Sequence, residues 1–204
     1  MSTDRSIIEE LATSGDGLDR AVADRLGIRL VADAGRDGLI DVAYCTVDSP
    51  IGPLLVAATP VGVVRLAFDG EGHDAVLQEL AGSISPRVLR APGRLDGAAR
   101  ELAEYFAGTR RSFDVPVDLR LAAGFRGTVL RHLRSIPYGR TESYAMVAAA
   151  SGSPAAVRAV GTACARNPVP LFVPCHRVVR SDGVIGRYRG GTDAKRLLLA
   201  LEAG

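Results

Sequence analysis

The chain changes its hydrophobic period once, near Arg120, and that change limits the folds open to it. Over residues 41–68, "DVAYCTVDSPIGPLLVAATPVGVVRLAF" gives three β-rich runs cut by "SPIG" and "TPVG", the punctuation of an antiparallel meander. Helical spacing follows in "HDAVLQELAGSI" and "GAARELAEYFAGT", with "RRSFDVPVDLR" as an extended link between the layers. Residues 41–119 therefore predict a small N-terminal α/β domain. From Arg120 onward short helices take over, so residues 120–204 predict a second, helical domain, and the class expected is α+β. Ahead of both, "DRSIIEELATS" and "GLDRAVADRLGI" read as two short helical segments ending in "ADAGRDG". Residues 1–40 are thus expected to be a helical extension, with no chemistry assignable to it.

Within the helical part, "GFRGTVLRHLRSI" is amphipathic, with Val129, Leu130 and Leu133 near one face, and "PYG" at Pro137–Gly139 stops it. "TESYAMVAAAS" offers Thr141 as a cap, and "SPAAVRAVGTACARN" offers Ser153 as a cap with Pro154 at the first helical position. Two helices joined by a turn holding Gly152 meet the requirement of a helix-turn-helix, although plain helix packing gives the same pattern. The second helix is built largely of small residues with one long cation, Arg158. Small residues let a backbone approach another surface closely, and a single arginine can then reach into it.

Charge is sorted between the two halves. Residues 1–119 hold 12 basic and 19 acidic residues, a net −7, whereas residues 120–204 hold 13 and 4, a net +9. The C-terminal part therefore carries the field that attracts a polyanion. Only Lys195 among the 25 basic residues is a lysine. Arginine number alone could reflect codon bias, but codon bias does not segregate charge. Acidic residues stand where a secretory signal needs a basic start, and no apolar run approaches a membrane span, so a cytoplasmic location and no membrane contact are expected. Three cysteines, Cys45, Cys164 and Cys175, form no CxxC pair and predict reduced thiols. With three histidines in the chain, a metal site is not expected.

The stretch "LFVPCHRVV", residues 171–179, puts a thiol and an imidazole side by side in an apolar run. A free cysteine is more often a small buried hydrophobe than a nucleophile. Here Pro174 bends the chain out of a simple ladder, and His176 and Arg177 set two potential cations beside the sulfur, which lowers a thiol pKa. In a regular strand, neighbouring side chains point to opposite faces, so either the backbone turns at Cys175 or a water relays the proton to His176. A relay also needs a third group to orient the imidazole. Glu202, in the C-terminal helical pattern, is one choice that sequence alone does not single out.

"PCHRVV" with "GVIGRYRGG…K..LL..LE" resembles the active-site region of the O6-alkylguanine-DNA alkyltransferases, or methylated-DNA–protein-cysteine methyltransferases. "IPYGRTESYAMVA…RAVGTACARNPVP" resembles the family's helix-turn-helix and hinge, in the same order. The resemblance runs from about Asp41 to Glu202. It implies a ribonuclease H-like antiparallel-sheet domain followed by a helical DNA-binding domain, and single-turnover transfer of an alkyl group from O6-alkylguanine, and from O4-alkylthymine, in duplex DNA to Cys175. His176 would ionise the thiol through water, Glu202 would orient the histidine, and Asn167 would tie the recognition helix to the active-site turn. Tyr144 would sit near the flipped nucleotide's phosphate and donate a proton toward the leaving guanine. Arg158 would replace the extruded base, with Ala159 and Gly161 allowing approach to the minor groove, and Pro170, Val178, Tyr188 and Arg189 would wall the pocket. No cofactor is implied, and a monomer is expected, with cooperative binding left open.

The chain departs from the family at Leu130, where a Trp is common, and at Arg140, where an acidic residue is common; both changes bear on packing and DNA contacts rather than on the thiol. Three other readings compete. A non-catalytic lesion binder of the same family would lack the thiol. A thiol hydrolase would need an oxyanion hole and a directly bonded Cys–His pair. A transcription factor would need base-reading side chains on a helix that is nearly smooth.

Overall fold

Residues 38–204, together with Val22, Arg29 and Asp33, are described by the computed structural model of the chain. The two helical segments expected before residue 38 lie outside the described residues. Residues 41–204 pack as one unit, and the boundary expected after Leu119 falls inside it.

The meander forms as its punctuation dictates. Strands β1 (Val42–Val47), β2 (Leu54–Thr59) and β3 (Gly62–Phe68) pair antiparallel in sequence. Ser49 closes the first turn by accepting from the Gly52 amide at 3.0 Å and giving its hydroxyl to the Gly52 carbonyl. A fourth strand, β4 (Val88–Arg90), adds parallel to β1, giving the order β3-β2-β1-β4. Three residues are too few to show a period, so β4 has no signature in the sequence. Helix α1 (His73–Ser83) sends Val76 and Leu80 into a core with Val42, Leu55, Ala57, Val64 and Ala67. Helix α2 (Asp96–Phe106) buries Ala98, Leu102 and Tyr105. At about 25 cal/mol per Å2 of apolar surface, burying each such Leu or Val is worth about 1.5–3 kcal/mol.

β3 is buried at every position, which explains why apolar residues stand on both of its faces, with Arg65 its one charged residue, instead of alternating with polar ones. Its outer edge, which would otherwise be open to pairing with another chain, is occupied by this chain. Val63 donates to Pro116 O at 2.8 Å, Asp118 donates to Val63 O at 2.8 Å, and Leu66 donates to Pro168 O at 2.8 Å. The last of these bonds fixes the sheet to the segment that precedes the thiol.

In the helical half, α3 (Gly124–Leu133) buries Val129, Leu130 and Leu133 completely, so the leucine at position 130 is a packed core residue. Arg140 is exposed beyond the turn at Gly139. Two caps differ from expectation. Thr141 precedes a short strand, β5 (Glu142–Ser143), and it is Ser143 that caps α4 (Tyr144–Ala150) by accepting from the Met146 amide at 3.2 Å. The next helix, α5 (Val157–Ala165), starts after Ser153 and Pro154, because those residues are spent on a turn closed by Ala156 N–H to Ser153 O at 2.9 Å. β5 pairs parallel with β6 (Val178–Val179), and α6 (Gly191–Ala203) buries Ala194, Lys195, Leu198 and Glu202 along one stripe. No helix among the described residues is long and apolar enough to cross a membrane.

Candidate active site

The apolar run before Cys175 is not a strand. Leu171 takes a left-handed conformation, φ 72°, the one non-glycine among the described residues to do so. Such a position is costly for a branched side chain and persists only where its surroundings hold it. Val173 N–H reaches Val169 O at 2.9 Å, and Cys175 N–H reaches Val173 O at 2.8 Å, so residues 169–175 fold back on themselves. Cys175, His176 and Arg177 then form one 3-10 turn, all buried. With three residues per turn, adjacent side chains diverge by about 120°. The thiol and imidazole are therefore neighbours in sequence that face different partners.

On the thiol side, Asn167 organises the turn. Its amide nitrogen donates to Val173 O at 2.8 Å and to Cys175 Sγ at 3.2 Å, while its oxygen accepts from Val169 N–H at 3.1 Å. Asn167 lies just past α5, so one side chain links the end of that helix to the sulfur. Burial pushes the Cys175 thiol up, while the Asn167 hydrogen bond and the Lys195 ammonium pull it down. Lys195 is fully buried and donates to Val178 O at 2.6 Å.

On the imidazole side, His176 Nε2 meets Glu202 Oε1 at 2.9 Å, both groups buried. The carboxylate is crowded with donors: Tyr105 OH at 2.7 Å, Arg177 Nε and Nη2 at 2.9 Å each, and Gly139 N–H at 3.2 Å. Burial alone would raise the Glu202 pKa, but the bonds from His176, Arg177 and Tyr105 outweigh it and hold the group at about 2. His176 is pushed down, because burial outweighs its attraction to Glu202 and Arg177 opposes it further. A neutral imidazole that gives its Nε2 proton to Glu202 keeps a lone pair on Nδ1. Nδ1 is buried and has no hydrogen-bond partner among the described residues.

Arg177 was expected to bear on the sulfur. It turns instead to Glu202 and to Ile136 O at 2.6 Å, because the carboxylate offers its fork two acceptors. Tyr105 comes from the N-terminal half, so both halves build the histidine's surroundings. Neither Tyr105 nor the position of Lys195 was visible in the sequence: a tyrosine in an amphipathic helix reads as core, and a lysine in a helical pattern reads as surface.

Tyr144 opens α4 half-buried, its hydroxyl 2.6 Å from where a Cβ on Gly186 would stand, so it lies against loop 184–190, and burial pushes its phenol up to about 12. Tyr188 packs edge-on against Phe68 and His176, with its hydroxyl buried and without a hydrogen-bond partner among the described residues. Pro170 and Val178 are buried within the turn and its exit strand. Arg189 turns toward the N-terminal half, its Nε 3.0 Å from Glu71. Arg158 and Ala159 are exposed on α5 and Gly161 is half-exposed; none forms a hydrogen bond with the thiol or imidazole groups. Among the described residues, no group of three or more His, Cys, Asp or Glu is placed to hold a metal ion.

A sheet that lends a tyrosine to a helical half holding a buried Cys–His–Glu arrangement defines the class: an α+β protein with an acid-oriented histidine beside a thiol. Residues 42–119 match the model of the 6-O-methylguanine DNA methyltransferase ribonuclease-like domain, and residues 124–204 match that of its DNA binding domain. The methylated-DNA–protein-cysteine methyltransferase of Mycobacterium tuberculosis is 40% identical over 173 residues, covering 79% of this chain and 92% of that one. The constitutive enzyme of Bacillus subtilis is 39% identical over 160 residues, covering 78% and 94%. Among solved structures, the M. tuberculosis O6-methylguanine methyltransferase superposes with a TM-score of 0.70 at 40% identity, covering 79% of this chain and 93% of that one. The chain belongs to the methylated-DNA–protein-cysteine methyltransferase family.

Proposed function

We propose that this protein repairs DNA by moving an alkyl group from O6-alkylguanine in duplex DNA to Cys175. The observation that carries the reading is a buried thiol hydrogen-bonded by Asn167 and followed directly by a histidine whose Nε2 is committed to Glu202 while Nδ1 is free. Nδ1 is the base: it takes the thiol proton through a water molecule. The sulfur attacks the alkyl carbon, a carbon–sulfur bond forms as the carbon–O6 bond breaks, and Tyr144 supplies a proton to the departing guanine. The product is a thioether, which water does not cleave, so each molecule reacts once. O4-alkylthymine presents the same alkyl–oxygen bond and is a second substrate.

An alkyl group on O6 is shielded in the base stack, so the nucleotide must be flipped into the pocket at a cost of a few kcal/mol. Arg158, exposed on α5 with Ala159 and Gly161 beside it, enters from the minor groove and fills the place of the lost base, offsetting that cost. In this reading α4 and α5 are the helix-turn-helix, Tyr188, Val178 and Pro170 wall the pocket with Arg189 at its outer edge, and the protein acts as a cytoplasmic monomer. The net +9 of residues 120–204 supports a polyanionic partner.

A lesion-binding role without transfer is the second reading, and the retained thiol disfavours it. Intact mass after incubation with an oligonucleotide carrying O6-methylguanine separates the two. Gain of one methylene on the peptide that holds Cys175 supports transfer. Binding with unchanged mass would leave only the binder.

A further inference from the structure

Away from the thiol, a cavity of about 190 Å3 opens where the sheet, the start of α3 and the end of α5 meet. Four arginines line it, Arg65, Arg126, Arg166 and Arg189, with Glu79 and Pro168. Neither Cys175 nor Tyr144 does. Arg65, 3% exposed, is fixed by Leu66 O at 2.8 Å, Pro168 O at 3.5 Å and Glu71 at 2.6 Å, and Glu71 also pairs with Arg189 at 3.0 Å. Arg126 spends one N–H on Leu121 O. The Arg166 backbone N–H closes α5 onto Thr162 O at 3.0 Å, while its guanidinium forms no hydrogen bond or ion pair with any described residue. Against four guanidinium groups stand two carboxylates, Glu71 and Glu79, so two positive charges face one cavity without a counter-charge. Like charges so placed repel, and the forked donors of arginine are matched by a tetrahedral oxyanion.

The source of that anion is indicated by α5. Apart from Val157 at its start, the exposed residues of α5 and its cap, Arg158, Ala159, Thr162, Ala165 and Arg166, recur at helical spacing and form one face. Arg158 and Arg166 stand at its two ends, about 12 Å apart along the axis at 1.5 Å per residue. With one end of that face in the minor groove, the other end reaches the backbone that borders it. We propose that the arginine cavity receives one backbone phosphate of the bound duplex, gripped by Arg166 and Arg126 with Arg65 and Arg189 behind them. The inference rests on the duplex-binding reading above. Because Arg189 follows Tyr188, the phosphate and the wall of the alkyl pocket share one loop, and backbone engagement holds that wall in place.

The test is the salt dependence of affinity of the full chain for duplex. Arg166→Gln should reduce the slope of log K against log salt by about 0.9, the signature of one lost phosphate contact. It should weaken lesion-bearing and unmodified duplex by the same factor, with a thermal midpoint no lower than that of wild type, since the Arg166 side chain is exposed, has no partner among the described residues and is relieved of repulsion. Arg126→Gln should reproduce the slope change. Arg100→Gln, an exposed arginine on α2, should not alter it. An unaltered slope in both cavity variants overturns the proposal. If, in addition, inorganic phosphate raises the thermal midpoint of the wild type but not of Arg166→Gln, the cavity serves a free anion instead and the DNA assignment falls. Alkyl transfer by the wild type, read by intact mass, is independent of the slope, so failure of the repair reading is seen separately.

Discussion

Replacing Glu202 with glutamine should destabilise the protein at neutral pH by about 3–5 kcal/mol. The carboxylate is 5% exposed and takes bonds from Tyr105, His176, Arg177 and Gly139, while Arg177 is itself 7% exposed. Glutamine keeps the shape and one acceptor, but it strips the guanidinium of its counter-charge, and breaking a buried pair from one side costs about this much. The titration gives a second route to the figure. Glu202 is held at about 2 against an ordinary 4.5, and that gap is worth about 3 kcal/mol. Because the folded pKa is depressed, the contribution is complete above pH 4.5 and is lost as the pH falls toward 2. Urea unfolding should therefore show a lower midpoint for Glu202→Gln at pH 7 with an unchanged slope, and the gap from wild type should close between pH 4.5 and 2. A gap below about 1 kcal/mol at pH 7, or one that persists undiminished at pH 2, would refute the assignment of Glu202 as the counter-charge of this cluster.

Two further outcomes bear on the chemistry. Cys175→Ala should abolish transfer while binding to alkylated duplex survives, checked by intact mass and a gel-shift titration; label still moving from DNA to protein would show that another group is the acceptor. Arg158→Ala should slow repair of duplex at least tenfold more than reaction with free O6-alkylguanine, since the free base needs no flipping; equal losses on both substrates would remove the intercalating role.

The architecture was legible where residues repeat at a fixed period. Three strands follow from β-rich runs cut by turn residues, and the two helices of the α/β half and α3 from i, i+3, i+4 spacing, with the residues expected to be buried in α3 fully so. What escaped has physical causes. β4 is too short for a period, Ser143 rather than Thr141 caps α4 because β5 pairs first with β6, and Pro154 belongs to a turn. At the site, the sequence showed a thiol beside a histidine and left the orienting carboxylate open. The resemblance supplied Glu202, and the structure sets it 2.9 Å from His176 Nε2. Tyr105 and the turn of Arg177 away from the sulfur depend on contacts across 97 and 25 residues of chain, which no local pattern encodes.

The remaining question is what stabilises a thiolate that burial opposes, and Lys195 is the group placed to do it. It is the chain's one lysine, it is fully buried, and among the described residues it has no carboxylate partner, only Val178 O at 2.6 Å. Burial pushes its own pKa down, and attraction to Cys175 and Cys164 offsets part of that loss. A lone buried cation destabilises the fold, and a thiolate formed at Cys175 during reaction is the negative charge placed to offset that. Lys195→Met keeps the length and apolar stem and removes the charge. The urea midpoint should stay near that of wild type, since a buried charge and one hydrogen bond are lost together. Transfer should slow because the thiolate loses its cation. Each pKa unit of that support corresponds to a tenfold smaller thiolate population at neutral pH, so the rate of the variant should keep climbing with pH beyond the point where wild type levels off. If its pH–rate profile instead keeps the wild-type shape at reduced height, Lys195 serves only to hold Val178 O, and the thiolate is stabilised by Asn167 and the turn alone.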